Sequence, residues 1–459
     1  MFNDDIAAIS TAPGESGIAI IRLSGSEVIA KAARIFKPYR ADSDILTRPS
    51  HTLTLGWILD EQQEAVDEVL LGIMKGPRSY TGEDVVEINC HGGTLVARRC
   101  LEVVLQCGVR IAEPGEFTRR AFLNGRMDAS QAEAVIEVIR AKTEKGLRLA
   151  VKQLSGQNSR QLHRLEERLI YVNAMLEASL DFPDEVGEPD YEEMRKIIQE
   201  QLSLVDKILS SGQRAQIYRE GINAVICGKP NVGKSSLLNA LLRQEKAIVT
   251  NIPGTTRDIV EDYINIHGIP VRIMDTAGIR STEDLVERIG VERSEEVIRN
   301  ADLVLLLLDV EAGITFEDLK IYEKIDKTKT IILVNKEDLE IKNISEEQIK
   351  ETFKGVKIIR GSVKEDIGLE ELENAIEEMV LTGQLDSDDL EIMLNLRQTN
   401  ALRQAKKYLE DSLAAIGEAP LDCLGVDIWG ALEVLGQVTG KNLKEEIMDR
   451  IFHEFCIGK

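Results

Sequence analysis

The stretch "GKPNVGKSS", residues 228 to 236, decides the fold of the central part of the chain. It follows the apolar run "NAVIC" and opens the helical pattern "SLLNALL", which is the strand, loop and helix context of a phosphate-binding loop. Gly228 and Gly233 permit the tight turn, Lys234 can reach phosphate oxygens, and Ser235 can ligate Mg²⁺. The stretch therefore predicts a nucleotide-binding α/β domain.

Two further phosphate motifs follow in the chain. "TTRD" at 255 to 258 offers Thr255 and Thr256 on a loop that can close over phosphate and Mg²⁺. "DTAG" at 275 to 278 ends the next apolar strand, which places Asp275 near the metal and the Gly278 N–H near the γ-phosphate. The order of these motifs indicates a nucleoside triphosphatase.

The motif "NKED" at 335 to 338 predicts which base is bound. It follows the apolar strand "TIILV", and the Asp338 carboxylate can accept from the two donors on the edge of guanine, which adenine lacks there. Asn335 and Lys336 brace this loop, and "GSV" at 361 to 363 is the expected base-capping loop. A site built for such hydrogen bonds rejects the wrong base by a factor on the order of 10⁴, so we expect GTP rather than ATP.

Two positions depart from the Ras-type pattern and bear on mechanism. Ile279 stands where Ras-type GTPases carry the glutamine that positions water, so another residue must do so. Glu287 is the nearest candidate, with Glu283 and Asp284 as alternatives. Asn231 lies inside the phosphate loop, where a bound monovalent cation could supply the charge of an arginine finger.

Composition limits the remaining classes of function. A chain of 459 residues suggests roughly three domains. Its net charge of −23 disfavours the binding of nucleic acid over an extended surface of this chain. We expect no membrane span, because no apolar run approaches the roughly 20 residues that a membrane helix needs. With six cysteines, no CxxC pair and no signal sequence, we expect a cytoplasmic protein with reduced thiols.

Four segments of different pattern predict a multidomain α/β and α+β protein. Residues 1–120 read as short strands and turns, 121–217 as long amphipathic helices, 218–382 as buried parallel strands alternating with helices, and 383–459 as helices again. We therefore expect a Ras-like P-loop GTPase domain inserted into a helical domain whose two segments pack together as one discontinuous unit.

Motifs outside the GTPase segment carry a family resemblance. They are "IIRLSG" at 20–25, "TGEDVVEINCHGG" at 81–93, "PGEFTRRAFLNGRMDASQAEA" at 114–134 and the terminal "CIGK" at 456–459. With the GTPase motifs, they resemble the MnmE (TrmE) family of tRNA-modification GTPases over essentially the whole length.

The resemblance implies a function and a set of partners. It implies a homodimer that works with MnmG, an FAD-dependent partner. Together they would add an aminomethyl or carboxymethylaminomethyl group to carbon five of the wobble uridine of certain tRNAs. It also implies that residues 1–120 form a tetrahydrofolate-binding and dimerisation domain, which holds a 5-formyltetrahydrofolate-type one-carbon carrier.

The resemblance also implies the roles of individual residues. K⁺ is assigned to Asn231, Thr250, Ile252 and Thr255, and Mg²⁺ to Ser235 and Thr256. Water activation is assigned to Glu287, and folate binding to Arg22, Glu87, Arg126 and Lys459. The chemistry fits, because arginine and lysine suit the glutamate tail of a folate and a carboxylate can accept from the amino groups of the pterin.

The expected GTP-binding residues lie in five short segments of the chain. They are Asn231, Val232, Gly233, Lys234, Ser235 and Ser236; Thr250, Asn251, Ile252, Pro253, Gly254, Thr255 and Thr256; Asp275, Thr276, Ala277 and Gly278; Asn335, Lys336 and Asp338; and Gly361, Ser362 and Val363.

The terminal "CIGK" is expected to be a working tail. Ile447, Ile451, Phe452 and Phe455 give the last helix an apolar face that can dock it. The tail would then deliver Cys456 and Lys459 into a folate site, across the dimer. A chemical and a packing role for Cys456 both stay open.

Two other functions are weighed against tRNA modification. One is a ribosome-assembly GTPase acting as a binding switch, which the acidic charge and the absence of a basic RNA-binding module disfavour. The other is a folate-dependent one-carbon transferase with a regulatory GTPase domain. For the leading function, we expect the partner to make most of the contacts with tRNA, and ammonium and glycine both stay open as the amine donor.

Overall fold

The computed structural model describes residues 4–40, 44–244, 263–275, 297–381, 392–442, 445–453, 455 and 457–459. Within these ranges the chain forms two β-sheets and a set of long helices.

The first part of the chain forms a seven-stranded sheet in the order β3-β4-β5-β6-β2-β1-β7. Its strands are β1 (Ile6–Ile9), β2 (Ser16–Ser24), β3 (Phe36–Pro38), β4 (Thr52–Leu59), β5 (Ala65–Met74), β6 (Val85–Gly92) and β7 (Arg110–Ile111). Three helices belong to this part: α1 (Val28–Ile35), α2 (Thr94–Gln106) and α3 (Glu116–Leu123). One face of the sheet packs on α1 and α2 and forms a core of aliphatic side chains.

The pleat of β2 separates its apolar and polar side chains. Ile21 and Leu23 are buried in the core, and Arg22 between them points to the opposite face because successive side chains alternate along a strand. On the neighbouring strand β6, Glu87 lies directly opposite Arg22. The register of two antiparallel strands therefore brings together two residues that are 65 positions apart.

Long helices follow the first sheet. They are α4 (Ala129–Arg140), α5 (Glu144–Leu154), α6 (Gln157–Asp181), α7 (Pro183–Val186) and α8 (Tyr191–Glu220). Asp128 begins α4 with a capping box, in which its side chain accepts from the Gln131 backbone N–H. In the described part of the chain, no helix combines the length and the hydropathy that crossing a membrane would require.

The central part of the chain is a six-stranded sheet in the order β13-β12-β11-β8-β10-β9. Its elements are β8 (Ile222–Cys227), α9 (Lys234–Gln244), β9 (Tyr263–Ile266), β10 (Ile269–Asp275), β11 (Leu303–Asp309), α10 (Phe316–Lys324), β12 (Thr330–Asn335), α11 (Glu346–Thr352), β13 (Lys357–Arg360) and α12 (Leu369–Val380). All neighbouring strands are parallel except β9, which pairs antiparallel with β10. The central strand β11 is buried along its whole length, as its continuous apolar sequence predicts.

The chain then returns to helices. They are α13 (Leu396–Ala415), α14 (Leu421–Thr439) and α15 (Glu445–His453). Helices α6, α8, α13 and α14 share one hydrophobic core, so segments on both sides of the central sheet pack together.

A buried ion pair joins the returning helices to α4. The Arg397 guanidinium donates to both carboxylate oxygens of Glu133, each at 3.0 Å, and the Gln398 amide donates to the same carboxylate at 2.7 Å. Burial raises the pKa of Glu133, and the Arg397 charge opposes that shift. The pair fixes α13 to α4 although the two residues are 264 positions apart.

The central sheet and the helices also share a core. Leu149 of α5 and Tyr218 of α8 are buried in one cluster with side chains of β8, β9 and β10. The Thr143 hydroxyl donates to the Gly268 carbonyl, in the turn between β9 and β10, at 2.8 Å. Gly221, which follows α8 at φ +80°, has no room for a Cβ beside the Pro270 carbonyl. The hairpin of β9 and β10 is therefore fixed against the helical domain.

Candidate functional site

The phosphate loop connects β8 to α9, which begins at Lys234. Gly228 has φ +143°, and a Cβ there would lie 2.6 Å from the Leu307 carbonyl oxygen; Gly233 has φ +105°, and a Cβ there would overlap the amide of Asn335. Only glycine satisfies both constraints. The Lys234 ammonium donates to the carbonyl of Gly228 at 2.7 Å and to that of Lys229 at 2.8 Å, so it lies inside the loop.

Two ion pairs hold the loops around this site. Lys229, inside the phosphate loop, contacts the fully buried Asp318 at 3.2 Å. Lys336, with φ +70°, donates to Asp309 at 2.6 Å. Burial of Asp309 raises its pKa, but the hydrogen bond and charge of Lys336, together with the backbone N–H groups of Glu311 and Ala312, outweigh that effect and keep the pKa below its usual range. Lys336 and Asp309 connect the carboxyl ends of two parallel strands, where ligands bind in open α/β sheets, and Lys229 connects the phosphate loop to the first turn of α10.

The expected base-reading loops meet at Asn335. Its side-chain amide donates to the Val232 carbonyl at 2.8 Å, and its carbonyl accepts from the Val363 N–H at 3.0 Å. The Ser362 hydroxyl donates to a carboxylate oxygen of Asp338 at 2.5 Å and lowers the pKa of that group. Asp338 is thus held as a carboxylate next to the phosphate loop, in the form that accepts hydrogen bonds.

Several expected residues lie outside the part of the chain that the structure describes. They are Thr250, Asn251, Ile252, Pro253, Gly254, Thr255 and Thr256; Thr276, Ala277 and Gly278; Glu287 with its alternatives Glu283 and Asp284; and Cys456. Asp275 ends β10. Among the described residues, the exposed Ser235 hydroxyl at the start of α9 suits Mg²⁺, and the exposed Asn231, at φ +64°, offers a side-chain carbonyl for K⁺.

Sequence reasoning did not single out Asp309, Lys229 or Asp318. Asp309 is the last residue of β11, and a carboxylate at the carboxyl end of a buried strand is a signal that could have identified it. Lys229 and Asp318 are 89 positions apart, and their pairing depends on the tertiary fold.

Three of the expected folate residues meet in the first domain, around an aromatic side chain that was not predicted. Arg22 forms an ion pair with Glu87 at 2.8 Å. The Arg22 guanidinium carbon lies 5.2 Å from the centre of the Tyr80 ring, and that of Arg126 lies 5.7 Å from the same centre. The Tyr80 hydroxyl shares a hydrogen bond of 2.9 Å with Thr118, which anchors the ring. Cation–π contacts of this kind hold both guanidinium groups near one position.

A buried arginine braces the segments that carry this cluster. Arg120 is fully buried and donates to Asp4, Glu83 and Glu116 at 2.9 to 3.2 Å. Glu83 also accepts from the Ser24 hydroxyl at 2.8 Å, two residues beyond Arg22. The network ties β2, the loop before β6 and α3 into one unit.

The tail contacts this cluster within one chain, and its expected position across a dimer stays a prediction. Arg22 donates to the Gly458 carbonyl at 3.4 Å. Gly458 has φ +92°, and a Cβ there would lie 2.5 Å from the Ile9 carbonyl oxygen. The preceding helix α15 is docked by Phe452, which packs near Phe122 of α3. The apolar face of α15 therefore brings the tail back to β1 and β2.

Two cysteines of the first domain, Cys90 and Cys100, form a separate cluster with Asp67. The sulfur atoms of Cys90 and Cys100 and a carboxylate oxygen of Asp67 lie within 4.8 Å of one another. The hydrogen bond between the two thiols lowers the pKa of Cys90. The same hydrogen bond raises the pKa of Cys100, and so does the burial of that thiol. Asp67 in turn contacts His91 at 2.7 Å.

The phosphate loop after β8, joined through Asn335 to the loop that carries the "NKED" motif, defines a P-loop GTPase. Two family descriptions match the chain: "GTP-binding protein TrmE N-terminus" over residues 5–126 and "MnmE helical domain" over residues 130–456. The chain belongs to the MnmE (TrmE) family of tRNA modification GTPases.

Full-length relatives agree with this assignment. A tRNA modification GTPase MnmE of Syntrophomonas wolfei is 70% identical, with 100% of both chains covered. The protein of the same name from Thermoanaerobacter pseudethanolicus is 49% identical, again over 100% of both chains.

Among solved structures, Aquifex aeolicus Era bound to GDP and aluminium fluoride is 29% identical, covers 41% of this chain and 66% of its own, and has a TM-score of 0.28.

Replacing the base-reading carboxylate tests the nucleotide site. Asp338→Asn should weaken GDP binding at least about tenfold, because one acceptor at the guanine edge becomes a donor facing donors. Binding of xanthosine diphosphate should improve, since xanthine presents a carbonyl where guanine presents an amine. Fluorescence titration with labelled nucleotides measures both affinities. Asp366→Asn, an exposed aspartate like Asp338 but in the loop that follows β13, is the matched control and should leave both affinities unchanged. Equal GDP affinity in the two variants would contradict the assignment.

Proposed function

We propose that this GTPase is stimulated by K⁺ and modifies tRNA together with an FAD-dependent partner of the MnmG type. The product is an aminomethyl or carboxymethylaminomethyl group at carbon five of the wobble uridine, and a folate supplies the one-carbon unit. In this proposal residues 1–120 bind the folate, 121–217 and 383–459 form the helical domain, and 218–382 hydrolyse GTP.

The observation that carries the proposal is the cluster around Tyr80. Arg22 and Arg126 come from separate segments and approach one aromatic ring, and Glu87, from a third segment, pairs with Arg22. The residues fit a folate: the paired Arg22 and Glu87 suit the polar edge of its pterin, the Arg126 guanidinium suits a carboxylate of its glutamate, and an aromatic ring suits its flat ring system. The same chain carries a GTPase domain, which a folate enzyme without coupled nucleotide hydrolysis would not need.

The geometry of the phosphate loop supports the proposed handling of GTP. The N-terminus of α9 and the backbone N–H groups of the loop would bind the phosphates. Lys234 would exchange its two loop carbonyls for β- and γ-phosphate oxygens, and Ser235 with Thr256 would hold Mg²⁺. Asp338, oriented by Ser362, would read the guanine.

Hydrolysis requires a group that positions the attacking water. Ile279 offers no polar atom, and we assign the role to Glu287. We assign the stabilisation of developing charge to K⁺ held by Asn231, Thr250, Ile252 and Thr255. A monovalent cation there neutralises the negative charge that an arginine finger neutralises in other GTPases.

The tail completes the proposed folate site. Its position beside Arg22 supports a role for the Lys459 ammonium in binding a folate carboxylate, and Cys456 would cover the ligand. When bound, the folate supplies a one-carbon unit. The residues of this chain bind and orient it and limit the access of water.

An exposed apolar stripe supports the proposed homodimer. Leu53, Leu55 and Leu70 are 64%, 45% and 41% exposed, and Leu55 lies opposite Leu70 in the register of β4 and β5. Such a patch on a sheet face is a site for association, and we assign a second copy to it. With a net charge of −23, the chain leaves most contacts with tRNA to the partner, and we place the reaction in the cytoplasm, where tRNA is found.

Wobble-uridine chemistry tests the function as a whole. A bacterial strain that lacks its own gene of this family should lose the modification and regain it when this chain is expressed. Mass spectrometry of nucleosides from purified tRNA measures the outcome, and Lys234→Ala, which cannot hold the phosphates, is the control that should not restore it. Unchanged uridines with altered ribosomal subunits would favour the assembly switch instead, and altered folate pools alone would favour the one-carbon transferase.

The salt dependence of hydrolysis tests the cation. GTP turnover in KCl should exceed that in NaCl at equal ionic strength by about tenfold or more, because the cation stabilises transition-state charge. Asn231→Ala should remove the difference. Asn239→Ala, an exposed change on α9, should keep it. Phosphate release assays measure turnover, and equal rates in the two salts would overturn the assignment.

Substitution of Glu287 tests the water-positioning group. Glu287→Ala should lower kcat by about 10²- to 10⁴-fold and leave GTP affinity unchanged, because the residue acts in the transition state. Single-turnover hydrolysis and equilibrium binding separate the two quantities. Glu283→Ala and Asp284→Ala are the matched comparisons. Normal turnover in Glu287→Ala would contradict the assignment, and the role would pass to whichever of the other two variants loses turnover.

A further inference from the structure

A groove of about 610 Å³ lies next to the proposed folate site, between α3, α6 and the chain that enters α15. Apolar side chains of Phe122, Met127 and Met448 line it, and its polar rim carries Arg126, His163 and Lys441. The volume falls within the range of small-molecule sites. None of the nucleotide-binding residues contributes to it.

Arg126 belongs to both the groove and the proposed folate site. Its guanidinium lies near the Tyr80 ring, which also contacts Arg22, and its Nε donates to the Ser79 carbonyl at 3.0 Å. A ligand held by Arg22 and Arg126 therefore has one end at the mouth of the groove.

The rim presents a guanidinium, an ammonium and an imidazole in a chain that is strongly acidic. The side chains of Lys441 and His163 are 57% and 42% exposed, whereas Glu166, which contacts both, is only 5% exposed and lies beneath them. The contacts are 2.5 Å for Lys441 and 3.1 Å for His163. An ammonium has three donors, so Lys441 can bond to Glu166 and to a ligand at once. Asp128, the other acid of the groove, accepts from the Gln131 backbone as the cap of α4.

We propose that this groove binds the γ-linked polyglutamate chain of a folate, an inference that rests on the proposed folate site. Each added glutamate carries one free carboxylate and two methylene groups. The carboxylates match Arg126, His163 and Lys441, and the methylene groups match the side chains of Phe122, Met127 and Met448. Inorganic phosphate would use the cations and leave the apolar surface without a partner.

The number of glutamates on the ligand is the variable that tests the groove. Calorimetric titration with 5-formyltetrahydrofolate and with its triglutamate should show about tenfold tighter binding of the triglutamate to the unmodified protein. Two added contacts, an ion pair with Lys441 and a hydrogen bond from His163, give this ratio when each contributes about threefold. The advantage should shrink as salt is raised, because these charges are exposed.

Substitutions at the rim locate the effect. Lys441→Gln keeps a hydrogen-bond donor for Glu166 and removes the charge, so it should reduce the triglutamate advantage to about threefold, which corresponds to losing one of the two contacts. The double variant with His163→Ala should nearly abolish it. Lys350→Ala removes an exposed lysine paired with Glu346 in the GTPase domain and is the matched control. Affinity for the monoglutamate should be equal in all variants.

The outcomes separate the groove from the folate site itself. Equal affinities for both ligands in the unmodified protein, or a triglutamate advantage that survives the double variant, would overturn the groove and leave the folate site intact. Failure of both ligands to bind the unmodified protein would overturn the folate site, and the groove with it. Thermal melting of each variant shows that lost binding is not lost folding.

Discussion

The hydrophobic core that the GTPase domain shares with the helical domain is the constraint on which the architecture depends. Side chains of α5 and α8 are buried together with those of β8, β9 and β10, and no solvent-filled linker separates the two units there. The hairpin of β9 and β10 is therefore part of the domain boundary. In the sequence it follows the "TTRD" motif and ends at Asp275, the first residue of "DTAG". The hydrogen bond from Thr143 to Gly268 anchors this hairpin to the helical domain.

Arginine side chains connect other segments of the molecule that are distant in the sequence. Arg120 connects the segments of the first domain, and Arg397 connects α13 to α4 through Glu133. Arginine suits these positions because its planar guanidinium can donate to two oxygens at once and stays charged when buried. In an acidic chain, each buried arginine also relieves repulsion between carboxylates, and Arg120 does so for three of them.

The sequence predicted the parts of the site that depend on short, continuous motifs. The phosphate loop and the "NKED" loop could be identified because local glycine, lysine and carboxylate spacing determines their chemistry. Tyr80 could not, because its role comes from two guanidinium groups that approach one ring only in the folded domain. The pairing of Glu133 with Arg397 was equally hidden, since helix periodicity does not say which faces meet. The apolar face of the last helix indicated docking without indicating which surface it docks on, so the approach of Gly458 to Ile9 could not be predicted.

The contact between Arg22 and Gly458 has a consequence for biosynthesis. The two residues are 436 positions apart, and translation proceeds at about 5–20 residues per second, so Gly458 is made about 20–90 s after Arg22. Strands β1 to β7 can pair during that interval because their partners are all within the first 111 residues. The nascent first domain must therefore keep Arg22 and the backbone of Ile9 accessible until the ribosome has completed the GTPase and helical domains.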